Sequence, residues 1–569
     1  MTAFNEKQHI EIREAPEAAQ QALIANGVQP IIARIFAARG IQTHSELDAS
    51  LSNLIPFQSL KNCKEAACLL ADATINNEKI VIVADYDADG ATAAAIGILF
   101  FREMGVLIDY FVPNRFEHGY GLTPEIVDIV AKNKVNVIIT VDNGIASVSG
   151  VSRANELGIK VLVTDHHLAG PELPDADCIV NPNQPNDSFK SKAIAGVGVM
   201  FYVLIALRSE LRERHYFNSD RTEPNLANLL DLVALGTVAD VVPLDRNNRI
   251  LVAQGLRRIR SGAMNHGIRA LLKIAKKNPT TARSSDFGFA IGPRLNAAGR
   301  LTDMKLGIEC LISERLETAI DLATELDRLN IERRQIEGDM KDQALTILDN
   351  IAGGPEMGVT LFDEAWHSGV VGILASRVKD KLQRPVIAFA QAANGALKGS
   401  GRSIKGVHLR DALDALTKMD PDVIEKFGGH AMAAGLTIQA HQLKRFSELF
   451  NDIIEAEFEK NTIDNSIYVD GALEDSDPIP TLAQEVRRHV WGQSFPEPTF
   501  RNQLYVRTHK LLGESHTKLK LSFTPKGETF DAIRFNFNES VPDVILCVYR
   551  LDINDYFDHQ PIQLIVETW

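Results

Sequence analysis

Three short runs constrain this chain more than any other feature. KIVIVAD (79–85), VNVIITVD (135–142) and KVLVTD (160–165) are apolar, rich in β-branched residues, and each ends in aspartate. They are too short for buried helices and read as strands covered on both faces. Between them lie helical segments. ATAAAIGILFFREMG (91–105) is apolar throughout, and Thr123-Pro124 places a cap residue before a proline at the first helical position. LIDYFVP (107–113) supplies a further strand. Strands alternating with helices predict a parallel sheet. Ligands of such sheets bind outside the carboxyl ends of the strands, so three acidic strand tips converge on one edge.

The 569 residues leave room for three or four domains. With 45% hydrophobic and 24% charged residues, the chain is neither disordered nor collagenous. Sixty Lys and Arg against seventy-four Asp and Glu give a net charge of −14, which excludes a uniformly basic nucleic-acid coat protein. A local basic track is present all the same. Residues 246–285 carry ten basic side chains, from Arg246, Arg249, Arg257, Arg258 and Arg260 through Arg269, Lys273, Lys276 and Lys277 to Arg283, and no acid. The run suggests contact with phosphates; its plain alternative is a solvated helix face balanced by acids elsewhere.

The longest apolar run, GVGVMFYVLIAL (196–207), is too short to span a bilayer, so no membrane association is expected. The first residues lack the apolar core of a signal peptide. Five scattered cysteines without a CxxC pair indicate neither a disulfide framework nor a thiolate zinc site and suit a reducing cytoplasm.

The predicted organisation is a helical N-terminal segment (1–75), an α/β domain (76–312), a long charged connecting helix (313–350, or two helices bent near Gly338), a second α/β domain (351–462) and a β-rich C-terminal domain (463–569). The last contains SIYVDGAL, QLYVRTH, KLKLSFT, FDAIRFN, VILCVYRL and PIQLIVETW, a texture that predicts a small barrel of the OB type. Its Tyr505, Phe523 and Phe535 are candidates for base stacking, although core packing explains each equally well.

Asp85-Tyr86-Asp87-Ala88-Asp89-Gly90 has the outline of an EF-hand calcium loop, but the twelfth position is Ile96, where a bidentate Glu is required, and a strand precedes it. It is better read as a strand-to-helix turn with the helix starting near Gly90 and the three acids projecting together from an extended chain. So many like charges need a cation. Asp142, Asp165-His166-His167 and Asp240 in ALGTVADVVPL (234–244) add carboxylates and imidazoles. Oxygen and imidazole donors without thiolate suit Mg²⁺ or Mn²⁺, and two such ions would clamp a phosphate for in-line hydrolysis. Any one of these acids alone reads as a cap or a surface loop.

In order along the chain, DYDADG, VDNG, TDHH and GTVADVVPL resemble the motifs of the DHH phosphoesterase superfamily, and GGHAMAAG (428–435) resembles its DHHA1 domain. WGQSFPEP (491–498) inside the β-rich region is similar to the superfamily's single-strand-specific 5′→3′ exonucleases. The resemblance implies that Asp87 binds one metal, Asp142 bridges both, and Asp89, His166 and Asp240 hold the second. It implies a weak or indirect role for Asp85 and places His167, with Asp165, at the scissile phosphate. One departure is Val83, where many members carry His, which leaves the first metal poorer in protein ligands. The resemblance also implies a cleft between the two α/β lobes, too narrow for duplex and lined by phosphate-binding segments, with a 5′-phosphate pocket setting polarity. The candidate phosphate ligands are Arg115 in PNRFEHGYGL, Arg294 and Arg300 in GPRLNAAGR, Ser400 and Arg402 in LKGSGRS, and His430. An ordinary turn with a surface arginine is the alternative for each.

The expected activity is 5′→3′ hydrolysis of single-stranded DNA to 5′-mononucleotides in recombination and repair. Single-strand-binding protein and a helicase are the partners the resemblance implies. The alternatives are another DHH phosphoesterase acting on short oligonucleotides, cyclic dinucleotides or pyrophosphate, or a non-catalytic DNA-binding scaffold. The β-rich domain and basic run argue against the first, and the intact acid set against the second.

Overall fold

The computed structural model describes residues 9–106, 108–114, 121–349, 356–392, 395–460, 466–513, 515–554 and 562–569. It divides into two compact units, one from the N-terminal part to Gly299, Asp303–Leu326 and Ile467–Trp569, the other from Arg300–Thr302 and Asp327–Ser466.

A short strand β1 (Ile10–Ile12) opens the first unit. Its central sheet comprises β2 (Ile80–Ala84), β3 (Asp109–Phe111), β4 (Val137–Val141), β5 (Lys160–Thr164) and β6 (Cys178–Val180), all parallel, in the order β3-β2-β4-β5-β6. All residues of β2 and β4 are buried, as continuous apolar runs require. Asp85, Asp142 and Asp165 each follow the last residue of a strand and lie on one edge of the sheet. The helices Ala88–Glu103, Gly196–Glu213 and Leu230–Ala239 pack together beneath that edge.

The turn after β2 differs from the sequence expectation. The helix begins at Ala88, with Asp87 as its cap accepting the Asp89 and Gly90 amides. Asp89 sits in the first helical turn and its carboxylate accepts the Gly196 and Val197 amides, so the three acids do not share one extended face.

The helix Leu316–Asp349 is continuous through Gly338 and runs from the first unit into the second. The second unit carries β7 (Val359–Phe362), β8 (Val386–Gln391), β9 (Ala396–Arg402), β10 (Lys426–Gly429) and β11 (Ala433–Gln439) in the order β10-β11-β9-β8-β7. Its core lies beneath this sheet, where Phe389, Phe446 and Phe450 are fully buried.

The C-terminal barrel has five strands, β13 (Phe500–Leu512), β14 (His516–Ser522), β15 (Thr529–Arg534), β16 (Val544–Ile553) and β17 (Ile562–Thr568), closed in the order β13-β14-β15-β17-β16. SIYVDGAL is not one of them. Its strand β12 (Ile467–Val469) pairs in parallel with β1, which also makes the N-terminal segment part strand rather than wholly helical. The WGQSFPEP motif acts as a buttress: Trp491 and Phe495 stack at 5.3 Å, Trp491 stacks on Phe36 at 5.8 Å, and the Gln493 carbonyl accepts the Leu244 amide. These contacts place the barrel in the same unit as the parallel sheet.

Candidate metal centre

Asp142 leaves β4 with φ of 61°, the left-handed conformation that a non-glycine residue adopts at a cost. That turn aims its carboxylate across the sheet edge. Asp85, Asp87 and Asp142 bring ligand atoms within 4.8 Å of one another; so do Asp89, His166 and Asp240, and so do Asp142, His166 and His167. His166 Nε2 lies 3.1 Å from Asp142 Oδ1, 3.4 Å from Asp240 Oδ2 and 3.9 Å from Asp89 Oδ2. Two donor groups therefore meet at Asp142.

Burial pushes the Asp142 carboxyl well above the usual carboxylate range, and the charges of Asp89, Asp87, Asp240 and Asp85 add to it. Burial likewise raises Asp240 well above its ordinary value, with Asp89 and Asp87 contributing. Asp89 is raised to about 7 by burial and then by Asp87, against the Val197 and Gly196 amides. Those amides begin the helix Gly196–Glu213 and donate to Asp89 at 2.9 and 2.6 Å, so the helix N-terminus partly offsets its charge. Asp142 Oδ1 is fully buried without a hydrogen-bond donor among the described residues. A buried acceptor left so, among mutually repelling carboxylates, fits a divalent cation, and the oxygen-and-imidazole donor set fits Mg²⁺ or Mn²⁺.

Asp165 has a different role from the other acids. Its Oδ2 accepts the Ile145 amide, and its Oδ1 accepts the His166 and His167 amides and His167 Nδ1 at 2.7 Å. Burial works to raise the Asp165 carboxyl, but these bonds and the imidazole charges bring it below its ordinary value. For His167 burial opposes protonation, while the Asp165 bond and the charges of Asp165, Asp240 and Asp85 outweigh it and raise the imidazole to about 9. Asp165 thus fixes the orientation of His167 and favours its protonated form. Asn181 and Asn183 donate to the His167 and His166 carbonyls and hold the DHH turn from behind.

GPRLNAAGR forms a helix, Gly292–Leu301, rather than an ordinary turn. Asn296 Oδ1 accepts the Ala88 amide at 2.8 Å, and a Cβ on Gly299 would lie 1.9 Å from the Tyr86 carbonyl oxygen. This helix therefore braces the acidic turn. Gly299→Ala is expected to displace residues 85–89 and weaken Mn²⁺ binding by on the order of tenfold, read by isothermal titration, with unchanged far-ultraviolet circular dichroism. A wild-type dissociation constant would remove the bracing role. Arg294 donates to the Ala290 carbonyl of its own turn, and Arg300, in the second unit, donates to the Gly369 carbonyl.

Arg115 lies outside the described residues. Ser400 and Arg402 share one side of β9, with Arg402 Nη1 3.2 Å from Ser400 Oγ. A Cβ on Gly372, near the N-terminus of the helix Val371–Leu382, would lie 2.8 Å from Ser400 Oγ and 3.1 Å from Arg402 Nη2. Arg402 has no carboxylate within ion-pair range among the described residues, and burial lowers its pKa. A guanidinium and a hydroxyl facing a glycine at a helix start make an anion cradle. His430 is exposed on the turn before β11, its amide donating to Ala433. Phe523 packs on Phe530 and Tyr549, whereas Phe535 is 52% exposed and meets His516 edge-on.

The model of the "DHH family, N-terminal domain" matches residues 79–237, that of the "DHHA1 domain" residues 355–456, and that of the "RecJ OB domain" residues 469–568. The chain is 44% identical over 575 residues to the single-stranded-DNA-specific exonuclease RecJ of Salmonella typhimurium strain LT2, with 99% of each chain covered. The chain belongs to the RecJ family. RecJ of Escherichia coli K12 is also 44% identical, again over 99% of both chains. Among solved structures, RecJ from Thermus thermophilus in complex with Mn²⁺ matches with a TM-score of 0.82 at 27% identity, covering 98% of this chain and 78% of that one. The same protein was also solved with Mg²⁺. The RecJ fold thus comprises the parallel-sheet domain, the long helix, the second α/β domain and the OB barrel seen here.

Among the described residues no helix is long and apolar enough to cross a membrane.

Proposed function

We propose that this chain is a single-stranded-DNA-specific 5′→3′ exonuclease that releases 5′-mononucleotides by metal-assisted hydrolysis, acting in recombination and repair. The observation that carries the reading is the pair of donor groups meeting at Asp142. Asp87 and Asp142, with Asp85 beside them, would hold one Mg²⁺ or Mn²⁺ ion; Asp89, Asp142, His166 and Asp240 would hold the other. When bound, the ions lower the pKa of an attacking water and neutralise charge on the phosphate.

The side chains do the rest. Asp165 keeps His167 Nδ1 occupied, so the protonated ring presents its Nε2–H to a phosphate oxygen. Arg402 and Ser400 hold a further phosphate, and Arg294, Arg300, Arg115 and His430 are assigned to the strand by the family resemblance. Five free thiols, four of them buried, suit a reducing cytoplasm. Single-strand-binding protein and a helicase are proposed partners on the family resemblance alone.

The test uses DNA oligonucleotides labelled at either end, with Mn²⁺, Mg²⁺ or EDTA. Labelled mononucleotide released first from the 5′ end, only with metal and with duplex spared, is the expected result. Hydrolysis confined to dinucleotides or pyrophosphate would move the function to a small-substrate phosphoesterase.

A further inference from the structure

The basic run of the sequence forms a surface feature separate from the metal centre. The helix Arg246–Arg260 presents Arg246, Arg249, Arg257 and Arg260 at intervals that fall on one face, spanning about 21 Å at 1.5 Å per residue. They line a cavity of about 270 Å³ closed on its other side by Arg488 at the end of the helix Ile479–Arg488. A second cavity of about 410 Å³ shares Arg260 and Arg488 with the first and adds Arg487, Thr280 and Thr281. The two form one groove with six arginines, none of which belongs to the metal centre; of these, Arg488 is paired with Glu485 at 2.6 Å.

Neighbouring basic residues are neutralised: Arg283 pairs with Asp552 at 2.6 Å and Lys277 with Asp286 at 3.0 Å. Within the groove, Arg246, Arg249 and Arg260 donate instead to the backbone carbonyls of Ser45, Leu244 and Ala282. None of these three, nor Arg257, has a carboxylate within ion-pair distance among the described residues. Two acids share the lining: Glu46 accepts the Gln42 and Thr43 amides and Asp48 accepts from Ser50 and Asn53, and both lie close enough to Arg246 to feel its charge. The Arg249 guanidinium lies 4.3 Å over the Phe495 ring.

We propose that this groove binds the phosphodiester backbone of a single DNA strand at a distance from the metal centre, an inference that rests on the exonuclease reading. Two observations select the ligand. Guanidinium forks without a carboxylate at ion-pair distance, at Arg246, Arg249, Arg257 and Arg260, match phosphate oxygens. The length of the row exceeds a mononucleotide and suits several consecutive phosphates. The groove reads no base and acts as a hold on the strand.

The experiment is fluorescence anisotropy of labelled (dT)30 with the full chain in EDTA, across 50 to 200 mM salt. Arg246→Gln/Arg257→Gln changes two exposed arginines; Lys273→Gln/Lys276→Gln removes the same charge from the same basic run outside the groove. The groove variant is expected to bind about tenfold more weakly and to flatten the log affinity–log salt slope by roughly 1.4, two single-strand contacts' worth, with the control changed by less than half as much. Equal effects of the two variants would overturn the proposal. So would competition by free thymidine monophosphate at matched nucleotide concentration, which would make the groove a product site, or binding of an oligoglutamate lost in the groove variant while (dT)30 affinity stays unchanged, which would assign it to an acidic protein. A wild type that binds (dT)30 through the groove but fails the end-label assay would sink the exonuclease reading and leave the groove standing.

Discussion

Asp142→Asn is expected to remove nuclease activity and, in the same preparation, to make the metal-free protein harder to unfold. Asparagine keeps the shape of the side chain and tolerates the left-handed backbone of residue 142, so the turn after β4 survives. What disappears is the shared negative charge between the two donor groups. Metal ions supply several kcal/mol of charge stabilisation to a hydrolytic transition state, and a loss of about 4 kcal/mol is about a thousandfold in rate. In the metal-free protein the same charge is a burden, because burial and four neighbouring carboxylates oppose it. Neutralising it is expected to raise the apparent melting temperature by a few degrees.

The pH dependence carries a definite sign. Asp89 has a folded-state pKa of about 7, above its unfolded value, so its contribution favours the folded metal-free protein at low pH and is lost as pH rises through 7. Asp142 and Asp240 are raised in the same direction. Stability of the EDTA-treated wild type should therefore fall between about pH 4 and pH 7, and less steeply in Asp142→Asn, where one repelling charge is gone. Melting curves in EDTA at a series of pH values check this. A variant with wild-type activity, or one that melts lower at pH 8, would remove Asp142 from the centre of the site.

The parts of this site legible in the sequence were those with a local signature. A buried strand ending in aspartate names both its place in the sheet and the direction its tip faces, so Asp85, Asp142 and Asp165 were placed together by strand chemistry alone. The division of the DxDxDG acids was not legible as an extended-chain pattern, because the cap at Asp87 starts the helix two residues before Gly90 and turns Asp89 toward the amides of Gly196 and Val197. Those amides carry no side-chain signal. Nor did the supporting residues declare themselves. Asn296 and Gly299 lie about two hundred residues from the turn they brace, in a segment whose arginines beside glycines read as candidate phosphate ligands. Gly196 is similar: a Cβ there would lie 2.7 Å from Asp142 Cβ, a constraint set by tertiary approach. The run 466–473 reads as a barrel strand by its alternation, and only the existence of a partner edge on β1 sends it elsewhere.

That second pairing bears on how the barrel can be dissected. Removing residues from about 465 onward looks from the sequence like a clean separation of a DNA-binding module, but it would also strip a buried charge of its partner. Arg39 Nη1 and Nη2 meet Asp470 Oδ1 and Oδ2 at 2.6 and 2.9 Å, with side chains only 2% and 0% exposed. Arg39 also donates to the Pro496 and Ile35 carbonyls, and Asp470 Oδ2 accepts the Thr499 amide. Arg39→Met leaves the buried Asp470 charge without its ion-pair partner, with only the more distant Arg13 near it, and is expected to cost about 3–5 kcal/mol. Arg39→Met/Asp470→Asn removes that charge while keeping an acceptor for Thr499, and is expected to recover a large part of the loss. Urea unfolding followed by tryptophan fluorescence reads both, since Trp491 lies beneath Arg39 at 5.3 Å. A double variant no more stable than Arg39→Met would mean that the lost carbonyl bonds, rather than the orphaned carboxylate, dominate. The ion pair would then be a consequence of the docking between the N-terminal segment and the barrel, not what holds it.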